Sequence, residues 1–252
     1  MKYDFSEPEK AQEYLQFSLS EEGLLQQALI WEALRPLLPT HKPLKAVDAG
    51  SGTGWLAGKL SEHFDHVVGF DSSEILINFA KEKFRSVNFI QSDQNQKLPF
   101  TDSYFDLGVA SLILHDLPDL RAGFTELARI IKPGGSLFVV ELNPYYAYPV
   151  GSWKRTWWEK LTRIKPKLKL ASYMKWARKT DRTFAWLKYF SLFYTLPEMI
   201  NAGLAAGFDL QFFQDIASKV DSDKLDLHYR SYRFPVFVLY QFTRPGIAAK
   251  TS

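Results

Sequence analysis

Chemistry in this chain concentrates where short apolar runs end. Lys45-Ala46-Val47-Asp48-Ala49 carries an acid, then breaks into glycines at alternate positions, Gly50, Gly52 and Gly54, before helix-forming residues resume at Trp55. This predicts a strand, a tight turn and a helix start. A backbone that turns sharply against a ligand has no room for a Cβ, and the unpaired N–H groups of a helix start attract negative charge. A second apolar run, His66-Val67-Val68-Gly69-Phe70-Asp71, also ends in an acid. At about twenty residues past the glycines, such a carboxylate can accept hydrogen bonds from two adjacent hydroxyls, as on a ribose. Asp93 stands at the end of a third run, Val87 to Gln94, where the alternative is an ordinary turn aspartate. His115 follows a fourth, and an imidazole titrating near neutrality can take a proton from a hydroxyl or amine.

The glycine spacing narrows the ligand. A dinucleotide fingerprint places its third small residue where helix and strand pack closely, but Trp55 fills that position here, and no Lys-Ser/Thr pair follows as in a phosphate-binding loop. A plain structural turn is the competing reading.

The elements that must hold these residues can be read in order. Residues 6 to 36 carry two helical patterns closed by Pro36 and Pro39. Ser72 and Ser73 cap a helix beginning at Glu74, in which Ile75 either lies beneath a base or joins the core. Asp119 caps a helix to Ile131, and Lys132-Pro133-Gly134-Gly135 turns it into a fifth strand, Ser136 to Leu142. Thr195-Leu196-Pro197-Glu198 is a capping box. Phe208 to Phe213 and Pro235 to Phe242 are the sixth and seventh strands, antiparallel to each other, and a short tail follows from Pro245. The 252 residues, 46% hydrophobic and 23% charged, suit one large domain. The absence of cysteine removes disulfides and thiolate chemistry, and no metal-ligand spacing is evident. A polar, acidic start and the lack of a long apolar run predict a cytoplasmic protein.

Asp48, Gly50, Gly52 and Gly54 together resemble motif I of the class I S-adenosylmethionine (SAM)-dependent methyltransferases, acidic-x-Gly-x-Gly-x-Gly. The run Leu98 to Asp106 before the fourth strand, the phrase Leu127 to Gly135, and Thr195 to Phe208 resemble further stretches of the same family, in its small-molecule, quinone-biosynthesis and natural-product groups. The resemblance implies a Rossmann-like α/β fold with a seven-stranded, mostly parallel sheet in the order 3-2-1-4-5-7-6 and helices on both faces. It implies SAM as cofactor, held by Asp48, Gly50, Ser51, Gly52, Asp71, Ser72, Ile75, Asp93, Gln94, Ala110 and Ser111, with His115 as candidate catalytic base. Residues 1–40 would form a helical flap, with Tyr3 or Tyr14 lining the site. Asn143-Pro144-Tyr145-Tyr146 resembles the box of base-methylating enzymes, but it follows the fifth strand rather than the fourth and reads as a chain exit.

The segment 144–194 departs from the minimal fold. It holds twelve lysines and arginines against two acids, a net +10 that leaves −7 for the remainder, and five of the seven tryptophans. It is expected to be a helical lid inserted after the fifth strand of a single domain, 1–252. Positive charge among aromatics suits an anionic or aromatic small molecule, a peripheral membrane contact or single-stranded nucleic acid. A small-molecule acceptor is favoured over nucleic acid. The alternatives are an RNA or peptide methyltransferase and a SAM-binding module without catalysis.

Overall fold

The computed structural model describes residues 7–40, 44–146, 189–219 and 234–246, with short pieces at 151–152, 169–170, 173, 183–186 and 232; at 151–152, 169–170, 183–186 and 189–191 it describes backbone alone. Seven strands make one sheet: β1 (Lys45–Ala49), β2 (His66–Asp71), β3 (Asn88–Gln91), β4 (Phe105–Ser111), β5 (Ile131–Leu142), β6 (Asp209–Ile216) and β7 (Phe237–Thr243). Their spatial order is β3-β2-β1-β4-β5-β7-β6, as expected. The first five run parallel, and β7 is antiparallel to both neighbours. β5 starts earlier than the pattern suggested because Ile131 already pairs with Phe105, and Lys132 to Gly135 bulge out where the β4–β5 register slips between Phe105 and Leu107.

Strand side chains alternate between faces, and the two halves of the core follow. Ala46, Leu107, Val109, Phe138, Val140 and Leu239 join one cluster, against α2 (Glu21–Leu34) and α3 (Trp55–Ser61). Val47, Ala110, Leu137, Val139, Val238 and Tyr240 join the other, against α5 (Leu120–Ile130) and α6 (Leu196–Ala205). α1 (Pro8–Leu19) and α4 (Glu74–Lys83) complete the helices labelled here. Local chemistry sets their starts: Ser20, Ser73 and Asp119 accept backbone N–H bonds as N-caps, and Thr195 with Glu198 forms the full capping box.

Of the insert, expected as a helical lid, short pieces are described: Tyr173 has helical backbone, and four other pieces are extended. Gly151–Ser152 pairs antiparallel with Lys169–Leu170, and Thr183–Trp186 with Tyr189–Leu192. The second pair is dense in aromatic and β-branched residues, which favour extended backbone over helix. Trp153, Trp157, Trp158 and Trp176 of the insert lie outside the described residues, as do Tyr3 and the tail beyond Gly246.

Because β1 to β5 are parallel, their carboxyl ends meet along one rim, and Gly50–Gly54, Asp71–Ser73, Ser92–Gln94, Leu112–Asp116 and Glu141–Asn143 all leave the sheet there. Gly54 caps α3 from the left-handed region, φ +76°, and a Cβ on it would stand 2.7 Å from the Phe89 ring and 2.8 Å from the Ala80 Cβ. Gly54→Ala should therefore cost on the order of 1–3 kcal/mol of unfolding free energy, read from the urea midpoint at unchanged m-value.

Candidate active site

The glycine turn is held from three sides. The Ser51 N–H donates to the Phe70 carbonyl at 2.8 Å, and the Gly52 N–H to Asp71 Oδ2 at 3.0 Å, so the turn is tied to the end of β2. Gly50 and Gly52 both have positive φ, and a Cβ at Gly50 would run into the Ile113 side chain. From above, α1 closes in: a Cβ on Gly52 would lie 3.2 Å from the Tyr14 ring, and Ser18 Oγ sits 2.9 Å from Thr53 Oγ1. Gln27 Nε2 donates to the Ser18 carbonyl at 2.9 Å, which locks α2 onto this junction. Trp55, which spoiled the dinucleotide pattern, is the first residue of α3 and packs half-buried against the core.

Two buried carboxylates flank the turn. Asp48 is 2% exposed, and its Oδ2, like Ser51 Oγ, has no hydrogen-bond partner among the described residues. Burial pushes the Asp48 carboxyl up to about 8, against the pull of the Ala57 N–H and with the Asp71 carboxylate adding to the rise. Asp71 accepts from Gly52 N–H and, through Oδ1, from Ser73 N–H at 2.9 Å; burial still raises its pKa. Its oxygens retain lone pairs for further donors.

The other sequence-marked residues fall around the same rim. Ser72 and Ile75 are half-buried, so Ile75 is not a core residue. Asp93 and Gln94 are half-buried on the loop after β3; Asp93 Oδ1 accepts from the Asn95 N–H and from Asn95 Nδ2, both at 2.8 Å, the geometry of an Asx turn. Ala110 is buried in β4 and Ser111 half-buried at its end.

His115 stands in a short 3-10 turn, Leu114–Asp116. Leu112 just before it takes φ +57°, and the following N–H groups, Ile113 and Leu114, both reach Glu141 Oε1 at 3.2 and 2.8 Å. The other oxygen, Glu141 Oε2, lies 2.5 Å from His115 Nδ1. Burial alone would lower the imidazole pKa, but the carboxylates of Glu141 and Asp116 outweigh it and push it up to about 9. The ring is therefore charged at neutral pH, and must lose a proton before it can act as a base. Glu141, 3% exposed at the end of β5, was not singled out from the sequence, although it carries the same signal as Asp48 and Asp71, an acid where an apolar strand ends.

His115 and Glu141 form the polar end of a small cavity open to one side, whose walls include Leu142, Phe193, Tyr194, Met199 and Tyr240. The Tyr194 hydroxyl donates to the Leu117 carbonyl at 2.6 Å and pins the chain returning from the insert to the loop after β4. Asn143 is a chain exit, as its position after β5 implied: its Nδ2 donates to Asp215 and its Oδ1 accepts the Tyr145 N–H.

Residues 47–139 match the family model described as a methyltransferase domain. A solved SAM-dependent methyltransferase of Mesorhizobium loti superposes over 87% of this chain and all of its own, with a TM-score of 0.69 at 24% identity. The chain has the fold of the SAM-dependent methyltransferases. Among curated proteins, it is 32% identical over 108 residues to a ubiquinone/menaquinone biosynthesis C-methyltransferase of Vibrio vulnificus, covering 39% of this chain and 41% of that one. It is 36% identical over 115 residues to a demethylmenaquinone methyltransferase of Corynebacterium kroppenstedtii, covering 45% and 49%. The match thus spans under half the length of these relatives. Among the described residues, no helix is long and apolar enough to cross a membrane.

The raised pKa values fix how stability depends on pH. Asp48 contributes stability that is complete below its unfolded pKa near 3.8 and is lost as pH rises through about 8; His115 contributes below 6.5 and loses it through about 9. The lowered carboxylates, Asp106 and Glu126, lose their contributions only in acid and stay constant across this window. The melting temperature should fall as pH rises from about 5 to 9, and Asp48→Asn should flatten the part of that fall that lies below pH 8 in a differential scanning series.

Proposed function

We propose that this chain is a SAM-dependent methyltransferase that acts on a small-molecule acceptor, with the donor at the glycine turn and the acceptor in the adjoining cavity. The observation that carries this reading is the unsatisfied pair Asp48 Oδ2 and Ser51 Oγ, buried beside a turn with no room for side chains and next to the Asp71 carboxylate. Buried polar atoms without partners are costly, and a ligand bearing a cationic amine and vicinal hydroxyls would satisfy them. SAM fits these residues on that chemistry. When bound, it supplies a methyl group on a positive sulfonium, open to in-line displacement.

In this reading Asp48 faces the cationic amino-acid part, Asp71 accepts from the ribose hydroxyls, and Ile75 with Asp93 and Gln94 borders the base. The backbone around Gly50 to Gly52, with Ala110 and Ser111, lines the remainder. Tyr14 covers the turn, so residues 1–40 act as the flap. Holding donor and acceptor at near-contact distance is the main demand of such a displacement, and the apolar cavity walls serve it by excluding water. An aromatic, quinone-like acceptor suits walls built from Phe193, Tyr194, Tyr240 and Met199, and both relatives above take their names from quinone methylation. The reading places the protein in the cytoplasm.

Calorimetric titration with SAM and with S-adenosylhomocysteine tests this. Asp71→Asn should weaken binding roughly 10- to 100-fold. A cation favours the ionised form of Asp48, so binding below pH 8 should release a proton, visible as a dependence of the heat on buffer ionisation and lost in Asp48→Asn. Transfer of labelled methyl from SAM into a metabolite extract separates an enzyme from a non-catalytic binding module, and absence of binding by folded protein would overturn the reading altogether.

A further inference from the structure

The turn after β5, Asn143-Pro144-Tyr145-Tyr146, has no part in the reading above, yet it is firmly anchored. Asn143 is 2% exposed; its N–H donates to the Val236 carbonyl at 2.8 Å and its Nδ2 to Asp215 Oδ1 at 2.9 Å. Its Oδ1 and carbonyl accept the N–H groups of Tyr145 and Tyr146. The turn thereby presents Tyr145, 41% exposed, next to Pro144 on the cavity wall. Tyr173, from the insert, lies against it. The two rings stack with centroids 4.6 Å apart and planes at 22°, and Tyr173 meets Phe193, another cavity wall, edge to face at 5.9 Å.

The Tyr173 hydroxyl is shut off from water and has no hydrogen-bond partner. A buried phenol usually finds one, and going without costs about 1–3 kcal/mol. The neighbours show what is missing. Burial pushes the Tyr173 pKa up and the Tyr145 phenol adds to the rise, while the Thr195 side chain and the Leu196 N–H pull it down. Thr195 Oγ1 is already engaged with Glu198, donating to Oε2 at 2.8 Å and accepting its N–H at 3.3 Å, and the Leu196 N–H can only donate. On the cavity wall, Tyr240 is a further phenol kept neutral by burial and by Glu141. The corner is rich in donors, and what it lacks is an atom that accepts.

We propose that Tyr173 is a specificity-determining residue of the acceptor site, its hydroxyl donating to a carbonyl oxygen of a flat aromatic acceptor that Tyr145 covers from the solvent side. The proposal rests on the reading of this chain as a small-molecule methyltransferase. It names a feature the acceptor must carry: an oxygen that only accepts, remote from the atom that is methylated. Because Tyr145 is partly exposed, it can leave the stack and close over the acceptor, one aromatic contact replacing another. A ring without that oxygen leaves the phenol unpaired, and a protonated amine sets donor against donor. Asn143 acts through Tyr145, as a positioning residue.

The probes are menadione, a flat ring pair with two carbonyl oxygens, and 2-methylnaphthalene, the same outline without them; the chain has no cysteine to add to the quinone. In equilibrium dialysis against the full chain saturated with S-adenosylhomocysteine, menadione should bind roughly tenfold tighter than 2-methylnaphthalene. Tyr173→Phe should weaken menadione about tenfold, leave 2-methylnaphthalene unchanged, and abolish the lowered carbonyl stretch that bound menadione shows in the infrared. Without ligand, the same variant should melt no lower than the wild type, since the hydroxyl it loses bonds to nothing. Equal affinity for the two probes, menadione binding untouched by Tyr173→Phe, or an equal loss of both probes, as a mere packing role would give, would each overturn the proposal. Where the variant does not fold, the wild-type infrared band decides, and a carbonyl stretch unshifted on binding overturns it. Wild type that holds S-adenosylhomocysteine but not menadione strikes this proposal alone; wild type that does not hold S-adenosylhomocysteine strikes the functional reading beneath it.

Discussion

Three carboxylates buried at the ends of parallel strands are the constraint on which the rest of this structure depends. Asp48, Asp71 and Glu141 sit at or near the carboxyl ends of β1, β2 and β5, each at most 8% exposed. An isolated buried charge is costly, and among the described residues none of the three is paired with a lysine or arginine. The protein answers with backbone amides: Gly52 and Ser73 for Asp71, Ile113 and Leu114 for Glu141. Those amides are available because the chain leaves each parallel strand at the same rim. Asp48 is the least compensated, which is why its pKa rises so far.

The turns around these acids are shaped to deliver amides. Glycine supplies the left-handed steps after β1, and Leu112 supplies one after β4, where a side chain must bear the strain. Because Ile113 packs where a Gly50 side chain would be, the two turns are fitted to each other, and neither can relax alone. The first helix then covers the glycine turn through Tyr14 and the Ser18–Thr53 contact. Opposite this rim, ion pairs do a different job: Arg129 bridges Glu126 and Asp102 while donating to two carbonyls, and Lys132 meets Asp106, knitting loops together.

Much of this was legible in residue order. The apolar runs of the strands, buried on both faces, the serine and aspartate caps, and the capping box at Thr195 are local, and the structure has them where the pattern put them. The acids of β1 and β2 were visible because glycines marked the turn between them. Glu141 escaped because no glycine turn follows it to mark a site, only Leu142, Asn143 and Pro144. The insert was expected to be helical because its lysines and tryptophans were weighed as an amphipathic surface; among its described residues, the runs Thr183–Trp186 and Tyr189–Leu192 pair with each other as extended chain.

The sequence by itself determined the elements and the acids that border the glycine turn, since periodicity, capping and turn chemistry act over a few residues; the strand order came only with the family resemblance. Only the tertiary structure decided the state of His115. Glu141 lies 26 positions away, and two strands had to pair side by side, Ser111 against Val140, before a carboxylate could be set against the ring. The protonation of a buried group depends on its neighbours in space and on the water they exclude, and neither can be read along the chain.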